Sequence, residues 1–184
     1  MRRCLGLNFL TFVFCVCGYS FAGNAQDTKP EAGERQVIKG AGEYLSPNGT
    51  CKAVLNISSL GGFLELTLQK DNNKSTTIKD VTGIAWFGNE KLVYTTSPIY
   101  GTPGVYVYSC ESNRVKRVVT ARNVDKAYPD GADYFELRSI SNTSPIVVFF
   151  YYAPHVDKAD FKNLRSPHYL YQVHLNGSDF KKTE

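Results

Sequence analysis

The segment from residue 82 to 120, TGIAWFGNEKLVYTTSPIYGTPGVYVYSCESNRVKRVVT, has the pattern of four consecutive β-strands. Runs of apolar, β-branched and aromatic residues, which suit a pleated surface, alternate with turn signals. These signals are Gly88-Asn89, a Gly/Pro-rich loop at 98–104 and a polar turn at 111–113. Because a single sheet of this kind cannot bury both of its faces, the segment requires further β-layers.

Two other parts of the chain repeat this order of strands and turns. EYLSPNG, CKAVLNISS, FLELTLQK and STTIKDV precede the segment, and YFELRSIS, PIVVFFYYA and YLYQVHLNGSDFKK follow it. Equivalent strands of the first two copies lie about 40 residues apart, which is close to the period of four-stranded repeats. The third copy carries an insertion at about 153–168, containing PHVDKADFKNLRSPH. The pattern therefore predicts an all-β chain of three consecutive four-stranded antiparallel meanders.

The N-terminus has the features of a secretory signal peptide. Arg2 and Arg3 precede an apolar run at 5–17 that is too short to span a membrane, and small residues stand at Ala22 and Ala25. We expect a signal peptide at 1–25, a flexible leader at 26–39 and a three-repeat β domain at 40–184. The predicted location is secreted or periplasmic, and an uncleaved anchor is the alternative.

The charge balance bears on the class of partner. The formal net charge of the whole chain is +4, and loss of Arg2 and Arg3 with the signal peptide lowers it to +2. The remaining charges are interspersed along the chain. This pattern favours neither nucleic acid nor an anionic membrane as a partner. No stable membrane insertion is expected after cleavage of the signal peptide.

Two cysteines, Cys51 and Cys110, lie outside the predicted signal peptide. Cys51 begins the second strand of one copy and Cys110 ends the third strand of the next, so both fall at the same end of an up-and-down sheet. A disulfide between them would close a loop of about sixty residues and stabilise the fold by about 3–4 kcal/mol. Two free thiols that face different ways are the alternative reading.

The copies contain characteristic turn and strand motifs, namely Ser46-Pro47-Asn48-Gly49, Lys91-Leu92-Val93-Tyr94, Val105-Tyr106-Val107, Tyr169-Leu170-Tyr171 and Asn176-Gly177. On these motifs the repeats resemble the blade repeats of TolB-type β-propellers, which also occur in the propeller domains of prolyl-oligopeptidase-like peptidases. The resemblance implies a propeller-like fold. Closed propellers have about 4–8 blades, whereas this chain has three copies, so we expect a partial β-propeller with open lateral faces. A small β-sandwich of the same strands is the alternative.

The chain has no Gly-x-Ser-x-Gly motif and three histidines, so we identify no catalytic residues, metal ligands or cofactor. His155 and His168 bracket the insertion, with Asp157 and Asp160 between them; they are either a possible metal-ligand set or polar residues of a solvated loop. A long loop in a scaffold of short loops is often functional. The predicted binding residues are Tyr151, Tyr152, His155, Lys158, Phe161, Lys162, Arg165 and His168.

The aromatic run at 149–152, FFYY, is either a buried part of the third copy or a recognition surface. With no catalytic set in view, the sequence predicts an exported, non-enzymatic protein-interaction module. Its partner is another protein or a second copy that associates through the open blade faces. The alternatives are an enzyme or accessory domain acting on peptide or glycan, and a binder of small ligands or carbohydrate.

Overall fold

The computed structural model describes residues 34–58, 64–70, 73–97, 102–124, 134–153 and 169–183. These residues form β-strands and one short helix, α1 (Ala121–Val124), so the predicted all-β class is confirmed. The strands are β1 (Glu34–Arg35), β2 (Gly42–Leu45), β3 (Cys51–Ile57), β4 (Leu64–Lys70), β5 (Asn73–Phe87), β6 (Lys91–Thr96), β7 (Gly104–Ser109), β8 (Arg114–Thr120), β9 (Tyr134–Ser141), β10 (Val147–Ala153), β11 (Tyr169–His174) and β12 (Lys181–Lys182).

The strands of each predicted meander pair with their neighbours in the chain, and all of these pairs are antiparallel. They form two hydrogen-bonded sheets rather than three. One sheet has seven strands in the order β2-β3-β4-β5-β6-β7-β8, and the other has five in the order β1-β9-β10-β11-β12. The first two predicted meanders are therefore joined in one sheet, and the third lies in the other.

The long strand β5 explains the difference, because it serves the first two meanders at once. Its first half pairs with β4, from Asn73 to Val81, and its second half pairs with β6, from Val81 to Phe87. Asp80, between the halves, is buried and has a φ of 58°. Its carbonyl oxygen accepts a hydrogen bond of 2.8 Å from the Ser97 N–H. The backbone therefore turns at Asp80 without leaving the sheet.

Alternating side chains of β5 and β6 face two separate hydrophobic cores. Ile84 and Leu92 belong to the first core, which includes Leu55 and Leu66 of the preceding strands. Val93, one residue further on, belongs to the second core, which is formed with β9, β10 and β11. We distinguish three layers. The first layer is β2, β3, β4 and the first half of β5, and the middle layer is the second half of β5 with β6, β7 and β8. The third layer is the five-stranded sheet. The middle layer is covered on both faces, by the first core on one and the second core on the other.

Part of the predicted leader at 26–39 belongs to the fold. Glu34–Arg35 form β1 and pair with the end of β9. Ile38 exchanges two backbone hydrogen bonds with Ile84, at 2.8 and 3.0 Å, and packs against the first core. These two bonds form an isolated β-bridge outside the named strands. The predicted signal peptide and residues 26–33 lie outside the described residues.

Cys51 and Cys110 form a disulfide, which confirms the predicted pair. Their Cα atoms are 6.1 Å apart, within the usual range for a bridge. Both residues are buried in the first core. The disulfide therefore joins β3 of the first layer to the turn after β7 in the middle layer.

The aromatic run at 149–152 divides between the two sides of the third layer. Phe150 and Tyr152 are buried in the second core, where their ring centroids lie 5.7 and 5.3 Å from that of Phe135. This placement confirms the buried reading for these two residues. Phe149 and Tyr151 alternate with them along β10 and are half-buried.

Candidate functional site

The predicted binding residues are mostly outside the described ranges. Tyr151 is half-buried on β10, and Tyr152 is 2% exposed, so its ring serves the core. The other predicted residues, His155, Lys158, Phe161, Lys162, Arg165 and His168, lie outside the described residues, as do Asp157 and Asp160 of the possible metal set. Within the described part of the chain, no three His, Cys, Asp or Glu side chains group as metal ligands.

A different site is present where the middle and third layers meet. Two adjoining cavities, of about 590 and 530 Å³, share Lys91, Ile146 and Leu175 in their walls. They lie beside the β5–β6 and β7–β8 turns of the middle layer. The loop between β9 and β10 and the turn after β11 complete the site from the third layer. We call the combined space the cleft.

The floor of the cleft is apolar because it is the rim of the second core. Val107, Ile146 and Leu175 are partly buried and pack against that core while they also line the cleft. Leu175 is fixed by a hydrogen bond of 3.0 Å from its N–H to the Ile146 carbonyl oxygen. A ligand with an apolar group could therefore bury it here without displacing the core.

One wall of the cleft carries three cations, on the two strands that flank β7. Lys91, Ser109 and Arg114 are direct neighbours across β6, β7 and β8, and Val107 is opposite Lys116 in the next row. Residues directly opposite in antiparallel strands share a face of the sheet. Lys91, Arg114 and Lys116 therefore point to the same side and are exposed.

The turn after β11 forms the facing wall. His174 Nδ1 lies 3.0 Å from Asp179 Oδ2, and the His174 carbonyl oxygen accepts a 2.7 Å hydrogen bond from the Gly177 N–H. Gly177 has a φ of 90°, a conformation that favours glycine. The turn holds Asn176 so that its backbone carbonyl oxygen accepts a hydrogen bond from Lys116 Nζ at 3.5 Å. Lys116 thus reaches from one wall towards the other.

The acidic residues that line the cleft form no ion pair with these cations. They are Glu111 and Glu90, and the Glu90 carboxylate accepts a 2.7 Å hydrogen bond from the Asn48 side-chain amide. Among the described residues, the ion pairs lie elsewhere or on the facing wall, and none involves Lys91 or Arg114. An anionic group is therefore the natural complement to this wall.

The cations predicted to bind a partner lie in the insertion, whereas RVKRVV was expected only to form a strand. Two cations spaced two apart, Arg114 and Lys116, indicate one cationic strand face, and this signal could have been read from the sequence. Ile146 and Leu175 carry no such signal, because each adjoins a strand whose apolar residues look alike in the sequence. Their role follows only from the way the third layer packs.

Comparison with protein-family models gives no match, and comparison with curated proteins gives none either. Among the described residues, no helix is both long and apolar enough to cross a membrane.

Proposed function

We propose that this protein is an exported, non-enzymatic, propeller-like interaction module whose partner docks in the cleft. The observation that carries the proposal is the group of three cations on one wall, Lys91, Arg114 and Lys116, beside an apolar floor. Protein recognition sites commonly combine a buried apolar centre with charged groups at the rim. The walls are built on paired strands and a hydrogen-bonded turn, so the site is formed before the partner arrives.

Export and the propeller-like arrangement have separate support. The basic N-terminus with its short apolar run is typical of a signal peptide. The Cys51–Cys110 disulfide favours an oxidising compartment, either extracellular or periplasmic. Face-to-face stacking of consecutive meanders, with the middle layer covered on both sides, is the packing expected of neighbouring blades.

A partner in the cleft is better supported than self-association through an open blade face. The outer face of the first layer carries mainly polar side chains, among them Lys52, Glu65 and Thr67. The Thr67 and Thr77 hydroxyl groups are 3.3 Å apart on this face. Such a face offers little contiguous apolar area to a second copy.

Site-specific photo-crosslinking in the native host tests this proposal. A photoreactive residue in place of Ser112, which lines the cleft, is expected to capture a partner protein. The same residue in place of Thr67 on the outer face is the matched control and is expected to capture none. The Ser112 product is expected to disappear when Lys116→Glu is added. Capture only at Thr67, equal capture at both positions, or no capture at Ser112 would each reject the cleft as the docking site.

A further inference from the structure

β8 forms the free edge of the seven-stranded sheet beside the cleft. It pairs with β7 on one side, and within the described part of the chain no strand pairs with its other side. Its first four residues, 114–117, are all exposed. An edge strand presents unpaired N–H and C=O groups, which can accept a further strand.

The charges on β8 decide which strand could be added. The sequence of β8, RVKRVVT, contains three cations and no acidic residue. Cationic side chains repel another cationic strand, so this edge is protected against pairing with the same edge of a second copy. The same charges attract an acidic strand. The edge of β8 therefore favours pairing with an acidic strand over pairing with a cationic one.

Both faces of β8 offer the same combination of contacts. On the cleft face, Arg114 and Lys116 lie beside the apolar residue Val107. On the opposite face, Arg117 lies near Val115, which is 43% exposed. Successive side chains of an added strand point to opposite faces. A strand that mixes acidic and apolar residues would therefore find a cation and an apolar contact on each side.

From this arrangement we propose that the partner binds by adding an extended, acidic and apolar segment along the free edge of β8, with one of its faces over the cleft. This inference rests on the proposed function and names the chemistry of the docking segment. Backbone hydrogen bonds to β8 hold such a segment, and the cations select it.

The test uses the full mature chain and a fluorescent peptide of two Glu-Glu-Val-Val repeats, about eight residues long, which is the length of an ordinary strand. Because successive side chains point to opposite faces, this order places both glutamate and valine on each face. We expect saturable binding by fluorescence anisotropy, with an affinity that decreases as salt is raised. One control peptide has lysine in place of glutamate, and a second has N-methyl groups on alternate backbone amides. Because they lose charge complementarity and backbone pairing respectively, both are expected to bind at least about tenfold more weakly.

Variants of the protein test the same contacts from the other side. Arg114→Glu and Lys116→Glu are each expected to weaken binding of the glutamate peptide by about tenfold or more. Lys52→Glu makes the same charge change on the first layer and is expected to leave the affinity unchanged. Because Lys52 also loses its 3.2 Å ion pair with Glu43, a cooperative unfolding transition in all three variants, rather than an identical midpoint, shows that the fold is intact.

Three results would overturn the inference: no binding of the glutamate peptide, equal binding of its N-methylated form, or equal binding to the Lys116→Glu variant. If the glutamate peptide fails while photo-crosslinking at Ser112 still captures a partner, the proposed function stands and the acidic strand is rejected. If both experiments fail, the cleft is not the docking site.

Discussion

Two threonine hydroxyl groups, those of Thr82 and Thr95, connect the middle layer to the backbone of β9. The Leu137 N–H donates to Thr95 Oγ1 at 2.9 Å, and the Thr95 and Thr82 oxygens are 2.6 Å apart. The Thr82 hydroxyl group also lies 2.7 Å from the Phe135 carbonyl oxygen and donates to it. Each hydroxyl group can donate one hydrogen bond and accept another. The chain of contacts therefore satisfies both backbone groups of β9 at once.

Replacement of Thr95 by valine is expected to lower the free energy of unfolding by about 1–3 kcal/mol, because the buried Leu137 N–H loses its acceptor. Thr95→Ser is the matched control, since it keeps the oxygen and loses only a methyl group. Urea unfolding measures both variants. A loss for valine no larger than the loss for serine would show that the hydrogen bond contributes nothing measurable.

The hydroxyl group of Tyr94 makes the stability of the fold depend on pH in the alkaline range. Burial, and to a smaller extent the neighbouring Tyr106 phenol, raises the pKa of the Tyr94 hydroxyl group well above its usual value of about 10. The two rings are stacked with centroids 5.1 Å apart. Below pH 10 the hydroxyl group is neutral in both the folded and the unfolded chain. Above pH 10 the Tyr94 hydroxyl group ionises in the unfolded chain but not in the folded one. The free energy of unfolding therefore falls as pH rises.

Tyr94→Phe removes this ionisation and is expected to flatten the fall in stability above pH 10. The difference in slope between the wild-type chain and the variant should approach about 1.4 kcal/mol per pH unit. Urea unfolding at a series of pH values between 8 and 12 measures it. Parallel curves for the two proteins would contradict the raised pKa.

Burial of individual residues was partly predictable from the sequence. Alternation along β4 correctly separates Leu64, Leu66 and Leu68 from their polar neighbours. The same rule does not identify Thr95, a polar residue on a strand with 0% exposure. Its burial follows from the backbone groups of β9 that it contacts, and these lie more than forty positions away.

At the scale of elements, β5 is the feature that the sequence does not reveal. From the sequence, STTIKDV ends the first copy at 81 and the next copy begins at 82, and Asp80 and Gly83 are of types common in turns. The structure instead uses Asp80 to bend a continuous strand. Gly83 is needed for close packing, because a Cβ atom there would lie 2.7 Å from Val37 Cγ1. Glycine is common in turns, but Gly83 lies within a strand and leaves room for the Val37 side chain.

The disulfide between β3 and the turn after β7 fastens the first layer to the middle layer. Its partners are 59 positions apart, so the bridge is expected to stabilise the fold by about 3–4 kcal/mol. Denaturant unfolding of Cys51→Ala, Cys110→Ala and the double variant measures this. Because either single variant breaks the bridge, the double variant should lose little more than a single one. Small and additive losses would show that the bridge does not restrict the unfolded chain.

At the scale of the whole molecule, the middle layer is enclosed between two others and ends in the exposed edge of β8. The order of the meanders could be predicted, because strand patterns and turns are local. The cleft could not, because Lys91, Arg114, Ile146 and Leu175 come from parts of the chain that meet only when the third layer packs on the middle layer. The insertion at 153–168, which the sequence favoured as the binding element, stays a prediction.

Residue-resolved amide hydrogen exchange tests this arrangement most directly. Exchange of the most protected amides requires global unfolding, whereas exposed edge amides exchange through local opening. We predict the slowest exchange in β6, Lys91–Thr96, which has neighbours on both faces and both edges. The outward-facing amides of residues 114–117 should exchange orders of magnitude faster. Exchange in β6 as fast as in β8, or equal protection of 114–117, would contradict an enclosed middle layer with one open edge.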